Sequence, residues 1–290
     1  MTQSAAAVSG ISVGVTFAVL GAATLHAGWN AAAHRITDRL VGFVLIGAAC
    51  SVCALILLPF VASPARAAWP FIAASFVTHI AYNLLLMRSY ELGDFNQMYP
   101  LARGTSPLVV AVAAAVFVGE DLPPIHLLGV IVISVGLMTL VGAGGRPGRR
   151  ELPALSAAVI TGLAIATYTV LDGVGVRRSG SVGGYVAWLF LLQGLPMPIG
   201  AFALRGSRVM LTRMRGLVGI GVLSGVASFA AYAIVIWAQT KAPLATVAAL
   251  REVSIVVGAI LGALLFHERF GKWRVVGSAL AVIGIALLEL

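Results

Sequence analysis

Strongly polar side chains stand at helical spacing inside stretches of this sequence that are otherwise almost wholly apolar. Arg103 follows Tyr99 by four residues and precedes Ser106 by three, which places all three on one face of a helix. Arg251, directly followed by Glu252, stands in a second such stretch. A guanidinium group binds a carboxylate through two parallel hydrogen bonds. We therefore expect these arginines to attract a substrate carboxylate or to gate a path; static ion pairing is the alternative.

Other polar and aromatic side chains recur in the same way in neighbouring apolar stretches. Their amide, imidazole and phenol groups exchange hydrogen bonds, and their ring faces can receive an ammonium group. The alternatives are a satisfied core position for a histidine and a helix end for an aspartate. With Tyr99, Arg103, Arg251 and Glu252, the candidate substrate-path residues are His26, Trp29, Asn30, His79, Tyr82, Asn83, Tyr168, Asp172, Tyr232 and Trp237.

The elements that hold these residues are predicted to be membrane-spanning helices. Of the 290 residues, 60% are hydrophobic and 10% are charged, whereas soluble domains carry about 25% charged residues. The apolar runs approach the roughly 20 residues that a membrane helix needs, and they are continuous rather than alternating as in a membrane barrel. We predict an all-α integral membrane protein with ten spans: 11–33, 41–61, 69–90, 96–119, 125–143, 153–176, 182–204, 215–238, 243–266 and 272–289.

The net charge of +9 comes from Lys and Arg that are spread over short loops rather than gathered in one patch. This distribution suits membrane topology and lipid headgroups, so we expect a lipid bilayer and not a nucleic acid as partner. Most of the basic residues fall in the loops after the first, third, fifth, seventh and ninth spans. The positive-inside rule then makes these loops cytoplasmic and places both termini outside.

Several chemistries are not favoured. Cys50 and Cys53 form a C-x-x-C pattern, but they lie inside the second apolar run, away from the strand–turn–helix context of a redox motif. No G-x-x-x-x-G-K-[ST] phosphate-binding sequence occurs, which argues against ATP-driven work within this chain. We expect no cofactor, no metal and no catalytic residue, and we expect that the chain is not an enzyme.

The two halves of the chain resemble each other. We predict two repeats, residues 1–145 and 146–290, with five helices each. Because five is odd, the second repeat is inverted in the membrane, and a substrate site is expected near the midplane between the halves. Shifts of 142 to 150 residues pair Asn30 with Asp172, Tyr82 with Tyr232, Arg103 with Arg251, Ser106 with Ser254, Glu120 with Glu268, Gly129 with Gly277 and Gly136 with Gly284.

The inverted arrangement leads to three local predictions. Arg103 and Arg251 approach the membrane from opposite sides and flank a central cavity at its two ends. The repeat-paired glutamates pin the turns into the fifth and tenth helices. The G-x-x-x-G patterns at residues 221–225 and 258–262 let helices of one monomer pack closely.

Ten short helices in two repeats, the Trp29–Asn30 pair in the first helix, and glutamates that close the fourth and ninth helices resemble the EamA-type members of the drug/metabolite transporter superfamily. The resemblance covers essentially the whole chain. It implies a secondary transporter, often an exporter of amino acids or other small metabolites. It also implies a central cavity lined mainly by the first, third, fourth, sixth, eighth and ninth helices. Finally, it implies cytoplasmic termini, which conflicts with the charge count.

We therefore expect a monomeric exporter of small amphipathic metabolites, above all amino acids, that works by alternating access in a bacterial-type inner membrane. Proton coupling and facilitated diffusion both stay open. One alternative is a multidrug or organic-cation exporter, which would favour a buried acid in the first helix, where the sequence has only His26 and Asn30. Another is an intramembrane enzyme acting on lipids, which would need a reaction centre near one interface.

Overall fold

The computed structural model describes residues 11–33, 35–92, 95–141, 151–266 and 271–290, and these ranges contain helices and no β-strand. Short 3₁₀ turns cover Leu58–Phe60 and Arg66–Ala68, and a π-helical turn, Ala114–Val118, follows the fourth helix. The α-helices of the described residues are α1 Val13–Ala33, α2 Arg39–Leu57, α3 Trp69–Leu92, α4 Phe95–Ala113, α5 Pro124–Thr139, α6 Leu152–Ser179, α7 Val182–Gly194, α8 Pro196–Arg205, α9 Ser207–Met214, α10 Val218–Ala238, α11 Leu244–Glu252, α12 Ser254–Phe266 and α13 Lys272–Leu288.

Six helical segments of the described chain are long and apolar enough to cross a membrane. The helix α5 is also apolar, but its 16 residues fall short of the roughly 20 that a perpendicular crossing requires. The prediction of an all-α, multi-pass membrane protein is confirmed at this level. The six segments are Arg39–Phe60, Arg66–Ser89, Gln97–Val118, Leu152–Ser179, Val182–Arg205 and Val218–Ala238.

Contacts between helices close a ring around the molecule. In order of contact the ring runs α5, α4, α6, α3, α7, α2, α10, α1, α12, α13 and back to α5. The helix α11 lies inside this ring, because it contacts α1, α4, α5 and α6 and all nine of its residues are buried. A helix that is covered on every side is the place where side chains from several neighbours can meet.

Two predicted spans are interrupted. The span 182–204 divides into α7 and α8 at Leu195, because Pro196 lacks the N–H that would continue the helix and instead begins a new one. The span 243–266 divides into α11 and α12 at Val253, directly after Glu252. Interrupted helices expose backbone polar groups, and within a membrane they occur where the interruption is buried in protein or lines a cavity.

Local signals set the ends of α2, α6 and α7. The carboxylate of Asp38 accepts two hydrogen bonds from amides in the first turn of α2, and the hydroxyl of Ser181 does the same once for α7. The helix α6 ends at Gly180, whose φ of +65° favours glycine. Asp172 therefore lies two turns before the end of α6 and does not terminate it.

The glycine patterns have different outcomes. Gly221 and Gly225 of α10 lie directly against Leu45 and Ala49 of α2, which confirms close packing within one monomer. Gly258, in contrast, has no neighbouring atom within 4 Å of the position that a Cβ would take. Among the described residues, the close helix packing predicted at Gly258 is therefore not observed.

Glu120 joins the two halves rather than pinning the turn into α5, so that prediction is wrong. Its carboxylate accepts from the backbone amide of Leu244 at 2.8 Å and forms an ion pair with Arg177 near the end of α6. Arg177 also donates to the carbonyls of Gln239 and Ala242, at 2.7 and 3.0 Å. We call this end of the bundle the Arg177 face.

The repeat partner of Glu120, Glu268, lies outside the described residues. The opposite end of the bundle is the Arg205 face, since Arg205 ends the α7–α8 segment that begins beside the Arg177 face. There the Asp38 Oδ2 atom binds Arg205 Nη1 at 2.6 Å and Arg213 Nη1 at 2.7 Å. At each face, one acidic residue thus binds arginines or amides from separate segments: Glu120 at the Arg177 face and Asp38 at the Arg205 face.

Candidate substrate site

Both candidate arginines bind one carboxylate in the interior of the bundle. The Arg103 Nε atom lies 2.6 Å from Glu252 Oε2, and the Arg251 Nη2 atom lies 3.2 Å from Glu252 Oε1. The three side chains are at most 4% exposed. The prediction that the arginines flank a cavity at opposite ends is wrong, because the central helix α11 carries Arg251 inward to meet Arg103 of α4.

This trio retains an unbalanced charge. Two guanidinium groups share one carboxylate, so one positive charge stays without an ionic partner in the trio. The pairing predicted from the sequence sets Gly104 against Glu252, so the first half has no acid at the corresponding position. Breaking a buried pair by removing one partner costs about 3–5 kcal/mol. The site is therefore sensitive to any group that adds or removes a negative charge.

Four rings pack together beside the trio. The imidazole of His79 stacks on Tyr168 with ring centroids 3.9 Å apart, and Tyr82 and Tyr232 meet Tyr168 edge-on at 5.6 and 6.3 Å. The Arg251 Cζ atom lies 6.0 Å from the Tyr168 ring centroid, which connects the rings to the trio. Aromatic faces of this kind receive cations and apolar groups alike.

A second buried acid completes the site. Asp172 is fully buried, and its two oxygens accept hydrogen bonds from Tyr185 at 3.0 Å and from Tyr232 at 2.5 Å. No described residue forms an ion pair with Asp172. The carboxylate is therefore held by hydroxyl groups alone, in contrast to Glu252.

The structure brings nine of the fourteen sequence candidates into one cluster. Tyr99 belongs to it because its ring lies 5.6 Å from the Arg103 Cζ atom. The nine residues are His79, Tyr82, Tyr99, Arg103, Tyr168, Asp172, Tyr232, Arg251 and Glu252.

Five candidates stand apart from this cluster. His26 and Trp29 form an edge-on pair on α1, with centroids 5.0 Å apart, and His26 is within electrostatic range of both arginines. Asn30 is exposed, and its amide donates to the His26 carbonyl of its own helix. Trp237 is 36% exposed near the end of α10. The fifth candidate, Asn83, lines a separate cavity with His79.

Sequence reasoning missed Tyr185 and Gln193, both on α7. Tyr185 binds Asp172, and the Gln193 Nε2 atom lies 3.0 Å from His79 Nδ1. The resemblance directed attention to six other helices. One signal was present: Gln193 is the only amide or charged residue in the span 182–204.

The described residues contain no group of three or more His, Cys, Asp and Glu side chains that could hold a metal ion. Cys50 and Cys53 are free thiols, and the Cys50 Sγ atom donates to the Gly225 carbonyl at 3.3 Å. Cys50 thus takes part in packing α2 against α10.

The sequence model of one protein family matches residues 152–290, which run from α6 to the last helix and include Asp172, Arg251 and Glu252. This half of the chain belongs to the EamA-like transporter family. The resemblance inferred from the sequence is therefore confirmed. EamA-like proteins are membrane transporters rather than enzymes, which agrees with the apolar helices of this chain.

Comparison of structures covers both halves of the chain. A crystal structure titled "Crystal structure of protein" matches with a TM-score of 0.73 over 96% of this chain and 98% of its own, at 19% identity. In all, 29 chains of solved structures match. At this identity the likeness concerns the fold alone. No curated protein matches the chain by sequence.

Proposed function

We propose that this protein is a secondary transporter that exports small amphipathic metabolites, above all amino acids, by alternating access. The observation that carries the proposal is the buried cluster, where one surplus positive charge and one unpaired negative charge lie on either side of aromatic rings. An amino acid carries the opposite pair of charges. Its carboxylate suits the Arg103–Arg251 pair, its ammonium group suits Asp172, and its side chain suits the rings.

The spacing of the two charged centres supports this assignment. Arg251 Nη2 lies 3.5 Å from the hydroxyl of Thr169, and Asp172 follows Thr169 by three residues on α6. The two centres are thus about one helical turn, roughly 5 Å, apart along α6. A single small zwitterion can span that distance, whereas a longer dicarboxylate or diamine would meet the wrong charge at one end.

We also propose that the ten predicted spans, in repeats 1–145 and 146–290, form an inverted pair. The contacts between α5 and α13 support this. Gly129 lies against Gly284 and Gly136 against Gly277, and the repeat exchanges these two contacts with each other. A twofold axis in the membrane plane would produce that exchange. Such a protein rocks one repeat against the other around the central cluster.

The cellular setting is part of the proposal. We place the protein as a monomer in a bacterial-type inner membrane, in contact with lipid along its apolar helices. A substrate cluster built from α3, α4, α6, α10 and α11 of one chain needs no second copy. Either proton-coupled exchange or facilitated diffusion would suit this arrangement.

Export of organic cations is the second candidate, and Asp172 is the observation that favours it. A buried carboxylate without an ionic partner among the described residues, beside Tyr168 and Tyr232, resembles the setting in which aromatic rings and an acid hold an ammonium ion. The surplus positive charge of the arginine trio stands against it, because that charge repels a cation that lacks a carboxylate.

Counterflow in proteoliposomes tests the proposal. Vesicles are loaded with one unlabelled amino acid and placed in a trace of the same labelled amino acid, with a panel of cationic dyes in parallel. We expect transient accumulation of labelled amino acid, lost in Arg103→Gln. The control Arg88→Gln changes an arginine in an exposed pair with Glu91 and leaves counterflow unchanged. Movement of dyes alone would support the second candidate, and amino-acid counterflow unaffected by Arg103→Gln would contradict the assigned site.

A further inference from the structure

A cavity of about 250 Å³ lies at the seam between α3 and the α7–α8 segment. It extends from Leu40 and Leu204, at the Arg205 face, to His79 in the middle of α3. At about 30 Å³ per water, it offers room for about eight water-sized groups, which is the scale of one amino acid. The cavity that the family resemblance implied is lined by the third span as well, but not by the seventh.

The inner end of this cavity is polar. His79 and Asn83 of α3 and Gln193 of α7–α8 line it together, and Gln193 Nε2 is within 3.0 Å of His79 Nδ1. Amide and imidazole groups exchange hydrogen bonds with a carboxylate or an ammonium group. They gain nothing from a lipid acyl chain, and a methyl end placed against them would leave them without partners.

The walls of the cavity are apolar and adaptable. Leu84 and Met87 of α3 face Met197 of α8, and Gly200 contributes no side chain. Methionine fills irregular space and tolerates ligands of different shape. The cavity as a whole is therefore amphipathic: hydrogen-bonding groups lie at the depth of the central cluster, and thioethers and branched chains lie toward the Arg205 face.

The outer end is bordered by charge. Asp38 holds Arg205 and Arg213 at this face, which leaves one positive charge in the group. Burial raises the pKa of the Asp38 carboxyl, but hydrogen bonds from Arg213 and Arg205 lower it more, so the net pKa shift is downward. The carboxylate keeps its charge at neutral pH, and a net positive border attracts solutes that carry a carboxylate.

The inner end of the cavity contacts the central cluster through one side chain, the imidazole ring of His79. His79 lines the cavity and also stacks on Tyr168, so the same imidazole contacts both the cavity and the central cluster. A solute bound against Gln193 would thus lie next to the central cluster, which is the site proposed for transport.

We propose that this cavity is an outer binding site for the transported solute, an amino acid with a large apolar or aromatic side chain. His79, Asn83 and Gln193 receive its polar end, and Met87 and Met197 hold its side chain, before it passes His79 to the central cluster. This inference rests on the proposed function, since it takes the bound solute to be the transported one.

The test is substrate protection of a single cysteine in the cavity wall. In a background with Cys50→Ala and Cys53→Ala, Gly200→Cys places a thiol in the cavity at a position with no atom within 4 Å of a Cβ. The control is Gly219→Cys, which is also open, exposed and near the Arg205 face but does not line the cavity. Labelling by a methanethiosulfonate reagent in proteoliposomes is followed by mass spectrometry, with L-phenylalanine or glycine present.

We expect L-phenylalanine to slow labelling of Gly200→Cys at least fivefold, glycine to have little effect, and Gly219→Cys to be indifferent to both. Labelling unaffected by L-phenylalanine would overturn the inference. So would labelling that is fast in detergent but absent in every lipid vesicle, since an acyl chain would then fill the cavity. Counterflow of L-phenylalanine is measured on the same vesicles. If counterflow occurs without protection, only the outer site fails; if no amino acid shows counterflow, the proposed function fails.

Discussion

Two acids in the same interior have different partners, and this contrast defines the site at the scale of single residues. Glu252 is bound by two guanidinium groups, whereas Asp172 is bound by the hydroxyls of Tyr185 and Tyr232. A carboxylate that no basic side chain neutralises can bind a cation from outside the protein. Glu252 cannot bind such a cation as long as both arginines are paired with it.

Asp172→Asn is expected to raise the KM for amino acids about tenfold or more, because losing one partner of a buried charge pair costs about 2–5 kcal/mol and 1.4 kcal/mol is a factor of ten. Tyr185→Phe, which removes one donor to the same carboxylate, should have a smaller effect. The measurement is counterflow with L-phenylalanine and, separately, with 3-phenylpropionate, which lacks the ammonium group. An equal loss for both solutes would contradict the assignment of Asp172 to the ammonium group.

The sequence indicated most of these residues but not their partners. Helical spacing and repeat pairing singled out Arg103, Arg251, Tyr82 and Tyr232, because intramembrane polar groups are costly and stand out against apolar sequence. Which of them meet depends on how deeply each helix is inserted. The interruption at Val253 and the burial of α11 determine that depth. Neither feature could be predicted from the spacing of neighbouring residues.

At the scale of elements, α11 connects two parts of the molecule. Its first amide, that of Leu244, is held by Glu120 at the Arg177 face, and its last residues, Arg251 and Glu252, belong to the arginine trio. All nine residues of α11, including those at its ends, are buried, so we expect a displacement at one end to be passed to the other. Solute binding at the trio can thus loosen the Arg177 face.

Glu120→Gln should weaken closure at the Arg177 face, because it removes the ion pair with Arg177. The measurement is the labelling rate of a cysteine at Thr246, a buried residue of α11, by a membrane-impermeant maleimide added from that face. We expect a rate several-fold higher than with Glu120 intact. Glu91→Gln removes an exposed pair with Arg88 and serves as the control, with no change expected. An unchanged rate in Glu120→Gln would show that the pair does not hold the face closed.

The contact between α5 and α13 depends on glycine. A Cβ at Gly136 would lie 3.0 Å from the Gly277 carbonyl oxygen and 2.9 Å from the Leu280 Cβ atom. Gly136→Ala should therefore force these helices apart and lower the free energy of unfolding by about 1–3 kcal/mol. Gly21→Ala on α1, where no atom lies within 4 Å, should instead raise it by up to about 1 kcal/mol. Thermal unfolding in detergent distinguishes the two, and equal effects would contradict the close packing.

At the scale of the whole molecule, the sequence predicted the helical class and the membrane environment from composition alone. It did not predict the interruptions at Leu195 and Val253, because each span is assigned as a continuous apolar run, although Pro196 and the charged pair Arg251–Glu252 stand directly beside the two breaks. It did not predict the cavity beside α7 either, because a cavity is the space that several helices leave between them. Helix identity is a local property of the chain, whereas this space depends on packing.

The distribution of basic residues predicts the orientation of the whole protein. We expect the Arg205 face to be cytoplasmic, because it carries most of the loop Lys and Arg residues. Ser63→Cys and Ser207→Cys, in a background without Cys50 and Cys53, are both exposed and lie at the Arg177 and Arg205 faces respectively. An impermeant maleimide should label Ser63→Cys in intact cells and Ser207→Cys only after permeabilisation. The reverse pattern would favour cytoplasmic termini, as the family resemblance implied.

The pairing of Gly104 with Glu252 has a thermodynamic consequence. If the halves were chemically identical, exchanging their roles would convert one access state into the other with no change in free energy. A carboxylate on one half only removes that equivalence, since it moves with α11 and has no counterpart on α4. If the two halves are the inverted repeats proposed above, the empty protein should favour one access state over the other, and Gly104 would be the reason for this preferred resting direction.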